Sequence, residues 1–139
     1  MEKIIKHKLK KYEKEIDRLM DKNGGELTAD HIVEAARSNK NPLHCYFTWN
    51  DNEEAHLWRL HKARMLFGYV VQQINVKGDI NKKVFRKYIQ VVNSQKLSVY
   101  VPTKVAIKTK NYASQIVADC ITLSNALTCK LQLFQNEIL

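Results

Sequence analysis

The sequence predicts an α+β fold with N-terminal helices, a basic antiparallel β-hairpin and a long C-terminal helix, expected as a single domain over residues 1–139. Three observations lead there. Apolar residues recur at helical spacing before and after the middle of the chain, the stretch from Val84 to Val101 switches to two-residue alternation, and turn-forming residues separate the two patterns. A hydrophobic content of 45% over 139 residues can fill one core without disulfide or metal staples.

Residues 1–24 read as a basic amphipathic helix, with Ile5, Leu9, Tyr12, Ile16, Leu19 and Met20 near a 3.6-residue repeat and charges on the remaining faces. Asn23-Gly24-Gly25 supplies residues that tolerate positive φ and marks its end. Residues 25–76 read as a helical pair around a corner. Thr28 is the N-cap candidate of a short helix carrying Ile32, Val33, Ala35 and Ala36, which stops before Asn41-Pro42. Asn50 or Asp51 caps the next helix, with Glu53 and Glu54 in its first turn. Its stripe of Leu57, Leu60, Ala63, Phe67, Val70, Val71 and Ile74 carries it to about residue 75, before a Lys77-Gly78-Asp79 turn.

Residues 77–110 read as the hairpin. Phe85, Ile89 and Val91 alternate with Arg86, Tyr88 and Gln90 in one strand running from Val84 to Val92, although Lys87 falls on the apolar side. Asn93 to Lys96 makes a turn, and Leu97, Val99 and Val101 alternate until Pro102. Residues 111–139 form the closing helix, whose stripe of Tyr112, Ile116, Cys120, Leu123, Leu127, Leu131 and Phe134 implies packing against the protein or a second copy.

The formal net charge of +9 is concentrated in one place: residues 77–110 hold nine Lys/Arg against one Asp/Glu, while the other segments nearly balance. A localised positive field attracts polyanions, above all a nucleic-acid backbone. No run approaches the roughly 18 apolar residues of a membrane span. The three cysteines Cys45, Cys120 and Cys129 have no CxxC spacing, so reduced thiols in a cytoplasm are expected.

The densest cluster of chemical groups is Asn41 to Arg64, NPLHCYFTWNDNEEAHLWRLHKAR. His56 and His61 are five apart, turned about 140° from each other on a helix, which does not suit a shared metal. A Cys45 nucleophile activated by the adjacent His44, with Asp51 as orienter, requires neighbouring residues to point at each other and lacks a strand-to-helix elbow. A helix break at Asn41-Pro42, an aromatic wedge of Phe47 and Trp49 and a helix cap explain more of these residues. No catalytic residue, metal or cofactor is therefore assigned.

The run Gly25-Glu26-Leu27-Thr28, Val33-Glu34-Ala35-Ala36-Arg37, then Pro42-Leu43-His44, Phe47, Trp49-Asn50-Asp51, Ala55, Arg59 and Ala63-Arg64 resembles a group of small, largely uncharacterised bacteriophage and prophage proteins, over roughly residues 24–135. An acidic residue is expected where Asn50 stands. The resemblance implies a phage origin and no particular mechanism.

The functional expectation is a non-enzymatic, homo-oligomeric protein of the host-cell cytoplasm that binds nucleic acid, DNA ahead of RNA, with low sequence specificity. The candidate contacts are Lys82, Lys83, Arg86, Lys87, Lys96, Lys104, Lys108 and Lys110 for charge and Tyr88 and Tyr100 for stacking. Arg59 and Arg64, with no acidic residue three or four positions away, extend that surface. The alternative is a module that docks on an acidic surface of a host protein.

Overall fold

A computed structural model describes residues 2–49, 52–74 and 83–138. The order of elements is α1 (Glu2–Lys22), α2 (Ala29–Ala36), a 3-10 turn (His44–Tyr46), α3 (Glu53–Tyr69), β1 (Val71–Ile74), β2 (Lys83–Arg86), β3 (Tyr88–Val92), β4 (Ser98–Pro102), α4 (Thr103–Ala106) and α5 (Lys110–Ile138). The fold is α+β, as the periodicities predict, with N-terminal helices, antiparallel hairpins and a long C-terminal helix.

The main core forms where α1, α2 and α3 turn their apolar stripes inward: Ile16, Leu27, Ile32, Val33, Leu43, Leu66 and Phe67 are buried there. Gly24 and Gly25 both take positive φ, and Gly25 N–H donates to the Met20 carbonyl, closing α1. Thr28 caps α2 as expected. Its hydroxyl accepts from His31 N–H, while the His31 ring accepts from Thr28 N–H, so an imidazole replaces the usual carboxylate of a capping box.

Three expectations change. Helix α3 stops at Tyr69, and Val71 and Ile74, which extend its stripe in the sequence, belong to a strand. Its cap is Asn52, whose side chain accepts from Ala55 N–H; Asn50, Asp51 and the Lys77-Gly78-Asp79 turn lie outside the described residues. The single strand expected from Val84 to Val92 is broken at Lys87. Its N–H donates to Val70 O and its carbonyl accepts from Thr103 N–H, so the chain pivots there between two hairpins. In one, β1 pairs with β2 (Val71↔Arg86 to Ile74↔Lys83); in the other, β3 pairs with β4 (Tyr88↔Pro102 to Val92↔Ser98).

The β3–β4 hairpin is sandwiched. Tyr88 and Tyr100 pack on Phe67 of α3, and Val91, Val99 and Val101 pack with Ala106, Tyr112 and Ile116 on the other side. Leu27 exchanges two backbone hydrogen bonds with Tyr100, covering the outer edge of β4. Beyond Ile116 α5 leaves the body, and every residue from Val117 to Glu137 is exposed.

Candidate functional site

Residues 41–49 form a corner packed against Arg59 of α3. Leu43 and Phe47 are buried. Trp49 donates from its indole N–H to His44 O at 3.0 Å, stacks on the His44 ring at 5.1 Å and lies under the Arg59 guanidinium at 4.8 Å. His44 Nδ1 meets Ala36 O at 2.8 Å, at the end of α2. The Cys45 thiol turns instead to Pro42 O and to the Tyr12 hydroxyl, so His44 and Cys45 make no dyad. Cys45 is exposed. Burial, with the Cys45 contact second, pushes the Tyr12 phenol up to about 12. Asn41 anchors the corner to α1 by donating to Glu15, whose carboxyl is held below the usual range chiefly by the Arg18 guanidinium.

The basic residues separate into groups with different roles. Arg59 is buried and donates to Thr48 O at 2.8 Å, so it belongs to the corner and not to a contact surface. Lys87 reaches Glu13 at 2.6 Å and Asp17 at 2.8 Å. Burial works against its ammonium, and these two carboxylates more than reverse that, raising its pKa. Tyr88 is buried and donates to Asp17 at 2.6 Å; burial first, then that bond, raises its phenol strongly. Lys87 and Tyr88 are thus fasteners of β3 onto α1, unavailable for phosphate or base. Lys96 sits in the turn at the tip of the β3–β4 hairpin. Lys83 lies in β2, Lys108 follows α4, Lys110 opens α5, and Lys82 lies outside the described residues.

Arg64 and Arg86 lie near one another and near Tyr100, away from the hairpin tip. Gly68 stands one turn after Arg64 on the exposed face of α3, and the Arg86 guanidinium carbon lies 3.6 Å from where a Cβ on Gly68 would be. Burial raises the Tyr100 phenol, and the positive charges of Arg64 and Arg86 pull against it. Phe67 covers one face of the Tyr100 ring at 3.9 Å. Thr103 donates its hydroxyl to Arg86 O at 2.6 Å, which places the exposed Lys104 beside Arg86 in the chain path. Both arginines are exposed and neither forms an ion pair among the described residues. Two exposed guanidinium forks near one another, with no ion pair among the described residues, present donors suited to an oxyanion such as a phosphate.

Along the same face of α3 stand Leu57, Trp58, His61, Met65 and Tyr69, all exposed, with Trp58 and His61 rings 5.3 Å apart. Trp58 and Tyr69 are not among the contacts expected from the sequence. The signal was available: Trp58, His61 and Met65 are spaced three and four apart, on the side opposite the buried Ala63, Leu66 and Phe67. The arginines therefore border a strip that also offers aromatic surface.

Among the described residues no group of three His, Cys, Asp or Glu side chains could hold a metal ion, and no helix is long and apolar enough to cross a membrane. Comparison with protein-family models, curated proteins and solved structures finds no match to this chain.

Proposed function

We propose that the protein binds nucleic acid with low sequence specificity through the exposed face of α3 and the adjoining end of the β3–β4 hairpin. The observation that carries this reading is the pair Arg64 and Arg86, both exposed and in no ion pair among the described residues, with the Arg86 guanidinium against Gly68 one turn after Arg64, on a side of α3 that also exposes Trp58. Arginines and Lys104 engage phosphates, and Trp58 offers a ring on which a base can stack. The helix that leaves the body, α5, carries a single Lys from residue 117 to 138, which favours backbone contacts through the arginines over base reading by a helix in the major groove. The proposal includes the phage-type origin implied by the Pro42-Leu43-His44 corner, a host-cell cytoplasm as the site of action, DNA ahead of RNA, and assembly of several copies.

The test is a gel-shift series against single- and double-stranded DNA and RNA at graded salt. Arg64→Ala and Arg86→Ala are each expected to reduce the slope of log K against log salt by about 1, and the double Glu variant to abolish the shift. Binding unchanged in the double Glu variant would overturn the reading.

A second reading, an acidic host-protein surface, is favoured by one feature. A groove of about 610 Å³ between α1 and the β1–β2 hairpin sets Lys6 and Lys10 beside Tyr69 and the exposed Val71 and Val84. Cations flanking apolar surface suit a partner that is both acidic and hydrophobic. Retention of a protein partner from host lysate after nuclease treatment, lost on Lys6→Glu and Lys10→Glu, would select it.

A further inference from the structure

We propose that the exposed part of α5, residues 117–138, is a self-association surface whose occupant is the same helix of a second copy. The inference rests on the oligomeric part of the reading above and not on nucleic-acid binding. Only the beginning of α5 is held by the body: Tyr112 donates to Glu26, Gln115 pairs with both backbone groups of Val92, and Ile116 joins the smaller core. The remaining 22 residues extend roughly 33 Å with nothing packed on them among the described residues. Yet Val117, Ile121, Leu123, Leu127, Leu131 and Phe134 are each more than half exposed. Monomeric soluble proteins rarely present an apolar patch of this extent.

The spacing identifies the occupant. Val117, Cys120, Ser124, Leu127, Leu131, Phe134 and Ile138 follow one another at alternating intervals of three and four, an unbroken heptad seam with Ile121 and Leu123 on its flanks. A seam averaging 3.5 residues per turn meets a partner with the same average, which a second copy supplies. At ~100 Å² of apolar surface per side chain, the six large residues offer about 600 Å² per copy. Two copies then reach about 1,200 Å², where specific interfaces begin. Charge excludes the other occupants. Asp119, Lys130 and Glu137 are the only charged residues from 117 to 138, so this stretch has no attraction for nucleic acid and no cationic rim for a lipid surface. Two copies meet with little repulsion although the whole chain carries +9.

Cys120 and Cys129 provide an internal probe. Nine residues apart, they stand on opposite sides of the helix, Cys120 in the seam and Cys129 outside it, and both are exposed in the single chain. Sedimentation of the full chain is expected to give an oligomer, and Leu127→Glu with Leu131→Glu to give a folded monomer, since neither side chain contributes to the buried cores. A thiol reagent should modify Cys120 several-fold more slowly than Cys129 in the wild type and equally in the double variant. A wild-type monomer would overturn the oligomeric reading together with this surface, whether or not it partitions onto neutral phospholipid vesicles. A wild-type oligomer that survives the double substitution, or equal modification of the two thiols in it, would overturn this surface alone.

Discussion

Lys87 and Tyr88 show how a residue's tertiary partner decides its role. Both stand in the most basic stretch of the chain, but Lys87 bridges Glu13 and Asp17 while Tyr88 donates to Asp17, so two neighbouring residues fasten the sheet to α1. Lys87→Met leaves two carboxylates without their shared cation, and Tyr88→Phe leaves Asp17 without a buried donor. Each is expected to lower unfolding free energy by about 1–2 kcal/mol, less than a fully buried charged pair because Asp17 is partly exposed. Urea denaturation measures the loss, and the salt dependence of nucleic-acid binding should stay as in the wild type. A normal stability with weakened binding would return Lys87 to the contact surface. Arg59 teaches the same point. Spacing along its own helix offers Arg59 no acid three or four positions away, and Thr48 O and the Trp49 ring are brought to it by the corner, which spacing along one helix cannot reveal.

At the scale of elements, the β3–β4 turn stores the one positive φ outside glycine among the described residues: Lys96 has φ 61. Asn93 builds the turn around it, accepting from Gln95 and Leu97 N–H while donating to Glu26. Lys96→Gly removes a side chain from a left-handed backbone and is expected to raise stability by about 0.5–1 kcal/mol. It also separates the two ends of the hairpin, since the paired strands alone, four steps from Ser98 to Pro102 or about 13 Å, divide the tip from the end that Arg86 and Lys104 flank. Binding should be nearly unchanged, and a loss as large as that of Arg86→Ala would place the contact surface at the tip. The elements themselves were largely legible. Helix periodicity, the Gly24-Gly25 stop and the Thr28 cap are local and hold. The break at Lys87 and the early end of α3 were not legible, because β-branched Val70 and Val71 fit either a helix stripe or a strand. The choice between them depends on pairing with β2 across residues distant in sequence. The same long-range pairing assembles Arg64, Arg86 and Tyr100, so the site's members could be named from the sequence while their grouping could not.

The whole molecule divides into a basic body and a nearly neutral helix, and the two surfaces proposed for them would reinforce each other. Joining two copies along α5 presents two Arg64–Arg86 sites in one particle, and binding of the second to the same nucleic acid becomes an intramolecular event. Each phosphate engaged contributes about −0.9 to the slope of log K against log salt on duplex DNA, so a particle using both sites should show roughly twice the slope of a monomer. The variant carrying Leu127→Glu and Leu131→Glu keeps every residue of the arginine site, so on a long duplex its slope should fall to about half the wild-type value. On a duplex too short for two sites the wild type and the variant should bind alike. An equal slope for both proteins on the long duplex would mean that only one site of the particle meets the strand, and that association through α5 serves another purpose than grip.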